Sequence, residues 1–270
     1  MKLSIVTVTF NAEDSIERTI KSVLAQTVPV YEYLFIDGGS SDRTNAIIDS
    51  YKVAIEERGT RFFHLAERDR GISDAFNKGI ERATGDFIGI INADDELLPN
   101  ANEILQSFVA SHDCDIVYGN CLWVDETNNL SYVRKSRTDL DRLYYDLVLI
   151  HPSTFVRKAS YERQGVFNIE YKLCMDKELL LRMYVGGERF AYVDQELTIM
   201  RAGGASDQDV VKTVKEGIKL SNLYHKPKWY TYSNAARKII KHKLSVFLKK
   251  SGLYSGVKKY CIDKNTLKID

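Results

Sequence analysis

The stretch FIGIINADDELLP, residues 87–99, decides the architecture. FIGII is short and apolar enough to be a buried strand, and it runs into two adjacent carboxylates, Asp94 and Asp95. Such a pair is costly unless solvent, hydrogen bonds or a cation offsets the repulsion. The run therefore predicts a strand whose carboxyl end opens at the edge of a sheet, where two acids have a purpose.

Working outward, LSIVTVT (3–9) is another β-branched apolar run and predicts a buried strand. A helix follows it, with Ile16, Ile20, Val23 and Leu24 on one face, acids near its start and Pro29 beyond its end. YLFI (33–36) predicts a strand that enters DGGSSDRT, a turn suited to starting the helix of Ile47, Ile48 and Tyr51. RFFHL (61–65), the helix ISDAFNKGIERA, a helix through Ile104, Leu105 and Phe108, and the strand DIVYG (115–119) complete the alternation. Strands and helices in this order predict an α/β fold, a mostly parallel Rossmann-like sheet flanked by helices. Such sheets bind ligands outside the carboxyl ends of their strands, and Thr9, Asp37 and Asp94 all fall there. Beyond residue 119 the alternation stops. A hairpin turns at Asn128 and Asn129, TDLDRLYYDLVLI reads as helical, HPSTFVRK as extended, DKELLLRMYVGG as a helix, and FAYV and LTIM as two further strands.

The 270 residues are 44% hydrophobic and 28% charged, enough for one substantial core. Four cysteines without CxxC spacing read as reduced thiols. The apolar start MKLSIVTVTF is too short for a signal peptide or a membrane span, so a cytoplasmic protein is expected. There is no GxxxxGK[ST], no GxGxxG after the first strand, no HExxH and no nucleophile elbow. Hard carboxylate oxygens without nearby Cys or His favour Mg2+ or Mn2+, held together with substrate phosphates. A helix-capping role for DDELLP is the alternative.

SIVTVTFNAED, LFIDGGSSDRT, ERDRGISDAFNKGIERATGDFIGIINADDELLP and CMDKELLLRM, in this order, resemble the family 2 glycosyltransferases, inverting enzymes of GT-A fold that use nucleotide sugars and build bacterial surface polysaccharides. The likeness spans about residues 3–205. It implies Thr9, Asn11 and Glu13 near the nucleoside, and Asp37 accepting from a pyrimidine N–H. It makes Asp94 the metal ligand of a DxD-like motif whose first position is Asn92, with Asp95 behind it or at the sugar. Arg70, Asp74, Asn77 and Lys78 match the stretch lining the nucleotide pocket. Asp176 matches the general base, with Glu178 its competitor, and His151 a position beside the acceptor or diphosphate. MRAGGAS (200–206) matches a loop closing over the donor, from which Arg201 would reach the phosphates. A sugar-nucleotide-synthesising nucleotidyltransferase is one alternative, but VTFNAED lacks the glycine-rich basic loop it would need. A non-catalytic nucleotide-sugar-binding protein is the other, and Asp176 argues against it.

Charge divides the chain. Residues 207–270 carry 15 Lys+Arg against 5 Asp+Glu, and residues 1–206 carry 23 against 32. The implied organisation is a catalytic domain, 1–206, with a nucleotide half to about 119 and an acceptor half from about 120, followed by a basic helical extension, 207–270. Aromatic and aliphatic residues among its lysines suit an anionic membrane surface. Packing on the domain or a homodimer contact is the alternative, and nucleic acid is disfavoured because the remainder is acidic and no binding motif is present. A membrane-facing tail agrees with a glycan acceptor linked to polyprenyl diphosphate, reached from the inner face of the plasma membrane.

Overall fold

A computed structural model describes residues 1–202, 209–251, 254 and 256–257. Residues 203–206 of the expected donor loop lie outside the described residues, as does Cys261. The first half is β1 (Leu3–Thr9), α1 (Ile16–Leu24), β2 (Glu32–Asp37), α2 (Thr44–Ser50), α3 (Lys52–Glu57), β3 (Arg61–Ala66), α4 (Ile72–Arg82) and β4 (Phe87–Ile90). Its strands pair in parallel in the order β3-β2-β1-β4. Thr9 stands opposite Asp37, and Asp37 opposite Ala66, so these carboxyl ends finish flush.

β1 and β2 are buried at every position, as befits strands covered by helices on both faces. Alternate residues serve different cores. Leu3, Ile5, Tyr33 and Phe35 pack with Ile16, Ile20 and Ile48. Val6, Val8, Leu34 and Ile36 pack on the other face with Phe76 and Ile80. A Cβ on Gly79 of α4 would come 2.3 Å from the Val6 side chain, so the helix lies this close to the sheet only because it has glycine there.

The chain continues through β5 (Glu96–Leu97), α5 (Ala101–Ser111), β6 (Ile116–Asp125), β7 (Leu130–Arg134), β8 (Thr154–Arg157), α6 (Lys158–Gln164), α7 (Met175–Val185) and β9 (Phe190–Arg201). β8 lies antiparallel between β4 and β6, β9 runs parallel to β6, and β5 pairs antiparallel with the far end of β9. The sheet is thus parallel through the first half and mixed beyond it. The hairpin turns where expected, with Asn129 at φ +49. FAYV and LTIM are one strand, not two: Asp194 and Gln195 between them are solvent-facing residues of β9, and register shifts at Tyr118, Asn120 and Cys121 of β6 absorb the irregularity. Only Leu140–Tyr144 of TDLDRLYYDLVLI is helical, as a 3-10 turn. The backbone after it is bound instead to residues 136–137, through Arg137 N–H to Val148 C=O (2.9 Å) and Ile150 N–H to Ser136 Oγ (3.2 Å).

Two helices close the described chain, α8 (Val210–Leu223) and α9 (Lys228–Lys250). Leu220 is buried among Leu143, Tyr171, Leu180 and Leu181, Tyr230 meets Tyr145 with ring centroids 4.4 Å apart, and Lys238 pairs with Asp146. The start of the basic extension is therefore docked on the domain. Among the described residues no helix is long and apolar enough to cross a membrane.

Candidate active site

The loops after β1 and β2 form one laced unit. Asp37 is fully buried; its Oδ1 accepts from the N–H groups of Gly39 (2.9 Å) and Ser40 (2.7 Å) and from Asn45 Nδ2 (3.1 Å), while Oδ2 accepts from Thr9 Oγ1 (2.8 Å) and the Ser40 hydroxyl. Burial pushes the carboxyl pKa up, but these donors outweigh it and hold it below the usual value. Asn11, at φ +48, accepts from Ser41 N–H (2.9 Å), and Glu13 accepts from the N–H (3.0 Å) and Nε (3.1 Å) of Arg43. Thr9, Asn11, Glu13 and Asp37 are thus brought together. In this structure their polar groups brace the loop pair; Asp37 in particular is saturated by its own loop together with Thr9.

Past β4, Thr19 Oγ1 donates to the carbonyls of Ala93 (2.9 Å) and Asp95 (2.8 Å), pinning the acidic turn to α1. Asp95 is buried, and its Oδ2 accepts from Asn92 Nδ2 at 3.1 Å. Burial, reinforced by the Asp94 charge, pushes its carboxyl up to about 8. Asn92 Oδ1 is buried with no partner among the described residues, and Asp94 is half-buried beside it. An orphaned oxygen acceptor next to two mutually repelling carboxylates is a donor set that a hard divalent cation relieves. Among the described residues no group of three or more His, Cys, Asp or Glu is arranged to hold a metal.

A second cluster includes Ile90, the last residue of β4. A small enclosed pocket is lined by Ile90, His151, Thr154, Val156, Tyr161, Phe167, Asp176, Leu179 and Leu180. Asp176 stands in the first turn of α7, where the helix N-terminus favours a carboxylate. Burial raises its pKa against the opposing effect of His151, and burial lowers that of His151 against the effect of Asp176. His151 packs on Phe76 and Phe167, with ring centroids 5.5 and 6.0 Å away. Ile90, which lines the pocket, ends β4 four residues before Asp94, so the base candidate shares its pocket with the strand that leads to the acidic turn.

Three of the expected site residues have protein partners in this structure. Glu178 does not line the pocket; it is buried and pairs with Arg182, Oε1 to Nε at 2.9 Å and Oε2 to Nη2 at 3.1 Å, and Arg182 holds the carbonyls of residues 164–166. Arg201 is committed to Glu96 (2.6 Å) and Glu126 rather than free for a phosphate. Asn77 spends its amide on Phe167, donating to its carbonyl and accepting from its N–H, both at 2.9 Å. It is a positioning residue for the wall of the pocket. Arg70 stays mostly exposed and pairs with Asp74 at 2.7 Å, while Lys78 bridges Glu67 and, more distantly, Asp74.

Two residues were not legible in sequence. Phe10 is 65% exposed beside Gly38, although it directly follows a buried strand; an exposed aromatic at a strand's carboxyl end is its signal. Glu216 of α8 accepts from three consecutive N–H groups, those of Lys172 (3.2 Å), Leu173 (3.0 Å) and Cys174 (2.9 Å), at the entrance of α7. No local pattern marks a contact across more than forty residues.

A sheet of this topology with its flanking helices is the GT-A fold of glycosyltransferases. The chain belongs to glycosyl transferase family 2, whose model matches residues 4–179. It is 27% identical over 184 residues to a PGL/p-HBAD biosynthesis glycosyltransferase of Mycobacterium bovis (strain BCG / Pasteur 1173P2), covering 67% of this chain and 69% of that protein. It is 31% identical over 130 residues to the GalNAc(5)-diNAcBac-PP-undecaprenol beta-1,3-glucosyltransferase of Campylobacter jejuni (subsp. jejuni serotype O:2), covering 48% and 41% of the two chains. Among solved structures, S. aureus TarS 1-349 in complex with UDP-GlcNAc matches with a TM-score of 0.67 at 17% identity, over 90% of this chain and 72% of that one. The chain spans 39% of the longer TarS structure. The mannosyltransferase PcManGT of Pyrobaculum calidifontis, in complex with GDP-Man and Mn2+, matches with a TM-score of 0.65 at 14% identity, over 96% and 80%. At these identities the structural matches establish the fold.

Proposed function

We propose that the protein is an inverting glycosyltransferase that moves a sugar from a nucleotide-sugar donor, a UDP-sugar, to a hydroxyl of a glycan carried on polyprenyl diphosphate, working at the cytoplasmic face of the membrane in surface-polysaccharide synthesis. The observation that carries it is the pocket shared by Asp176 and His151, floored by Ile90 of the strand that leads to Asp94. The UDP-GlcNAc bound by TarS and the undecaprenol-linked acceptor named for the Campylobacter relative support the choice of donor and acceptor.

The residues divide the work. The laced loops of Thr9, Asn11, Glu13 and Asp37 form the nucleoside end, with the exposed ring of Phe10 offering a stacking face to the base. Asn92 and Asp95 meet the ribose and sugar, and Arg70 stands near the diphosphate. Asp94 would hold Mg2+ or Mn2+, which when bound neutralises charge on the departing diphosphate. Asp176 takes the proton from the acceptor hydroxyl as that oxygen attacks the anomeric carbon on the face opposite the diphosphate. The carbon–diphosphate bond breaks as the new bond forms, so configuration inverts and nucleoside diphosphate leaves. Burial that raises the carboxyl pKa makes Asp176 a stronger base.

The test is acceptor-dependent release of nucleoside diphosphate from UDP-sugars in the presence of Mn2+. Asp176→Asn is expected to keep donor binding and lower transfer by about 10² to 10⁴. Full turnover by that variant would refute the base assignment, and release that does not depend on acceptor would refute glycosyl transfer.

A further inference from the structure

We propose that α9 is an in-plane membrane anchor, its distal face seated in the headgroup region of an anionic bilayer. This deepens the reading of a lipid-linked acceptor by naming the surface that meets the lipid.

The observation is a helix with two opposed faces. Thr231, Asn234 and Ala235 are buried. Asn234 Nδ2 donates to the Tyr145 carbonyl (3.4 Å) and to Asp146 Oδ2 (3.3 Å), and Lys238 pairs with Asp146. That face is docked on the domain. Trp229, Ile240, Leu244 and Phe247 are 74%, 66%, 55% and 64% exposed. At 3.6 residues per turn these four fall within about 60° of one another, on the side of the axis away from the docked residues. Tyr232, also exposed, widens the stripe.

Charge selects the occupant. α9 carries seven Lys or Arg and no Asp or Glu. Exposed Lys243 and Lys250 flank the stripe on one side and exposed Arg237 on the other. A second copy of the chain would bring two such cationic borders together, which is repulsive. A nucleic acid would use the charges and leave the apolar stripe in water. Only a surface that is anionic outside and apolar just beneath satisfies both, and large apolar and aromatic anchors between basic residues are the composition that lies flat in a membrane interface.

The test is flotation of the full chain with vesicles of phosphatidylcholine, with and without phosphatidylglycerol, in the absence of donor and acceptor, so its failure leaves the proposed reaction standing and a failure of transfer leaves the anchor standing. The chain is expected to float with the anionic vesicles, less at high salt, with a blue shift of Trp229 fluorescence that Trp229→Phe removes. Ile240→Ser, Leu244→Ser and Phe247→Ser combined should lower partition by at least about 100-fold. Lys243→Gln with Lys250→Gln should lower it about 25-fold at low salt. All these side chains are exposed, so each variant should melt like the parent chain. Absence of binding, equal binding to neutral vesicles, or unchanged binding by the triple variant would overturn the proposal. So would a dimer in light scattering that the triple variant abolishes, because the stripe would then belong to a second copy.

Discussion

Lys177 is a buried cation between the two acids of the first turn of α7, with Nζ 3.4 Å from the Tyr144 carbonyl. Burial, with the like charge of Lys238 adding to it, lowers its pKa from 10.5 to about 8; Cys174, Asp146 and Asp176 pull the other way without restoring it. A drop of this size at about 1.4 kcal/mol per pH unit means that the charged ammonium costs the folded state about 3 kcal/mol at neutral pH. The sign follows from proton binding: between pH 8 and 10.5 the unfolded chain holds this proton and the folded chain releases it, so stability rises with pH across that window. Methionine has nearly the same length and no charge, and gives up only one hydrogen bond of about 1 kcal/mol. Lys177→Met should therefore stabilise the protein by about 2 kcal/mol at pH 7, with the advantage fading toward pH 10.5. Urea unfolding of both proteins, followed by circular dichroism at several pH values from 7 to 10.5, measures it. A variant less stable than the parent at pH 7, or a difference that stays flat across the window, would refute the reasoning.

Asp94→Ala should lose both turnover and the thermal stabilisation by Mn2+ with UDP, which for the parent chain is about 3 kcal/mol at a hundredfold excess over Kd; calorimetry with and without chelator decides it. Asn77→Ala strands the N–H and carbonyl of Phe167, so it should cost about 2 to 4 kcal/mol by urea melts and impair transfer through the pocket wall. Asp115, buried against Arg157, Arg163 and Arg189, has its carboxyl pushed down to about 2, chiefly by the Arg189 hydrogen bond. Its contribution is present above about pH 4 and is lost as pH falls through 2. Asp115→Asn should cost about 2 kcal/mol at pH 7 and flatten the acid limb of the stability curve, as read by circular dichroism.

Continuous apolar runs such as LSIVTVT were legible because both faces of a central parallel strand are buried, leaving no other reading. The acids after strand ends could be found for the same reason: the strand tells where the rim is. Pattern did not reveal what each polar side chain touches. Asn77 and Arg201 stand where a ligand-binding residue would, yet their partners, Phe167 and Glu96, are distant in sequence. Glu178 and Asp176 share one turn of helix, and only packing decides which of them reaches the pocket. TDLDRLYYDLVLI has helical periodicity, but its backbone groups find partners in residues 136–137 and stay irregular.

The grip of Glu216 on residues 172–174 joins the last part of the chain to the first turn of α7. Cutting the chain ahead of α8 would strip three amides of their acceptor two residues before Asp176. The α8 segment therefore cannot be trimmed away like a purification handle: removing it leaves the backbone at the entrance of α7 without its anchor.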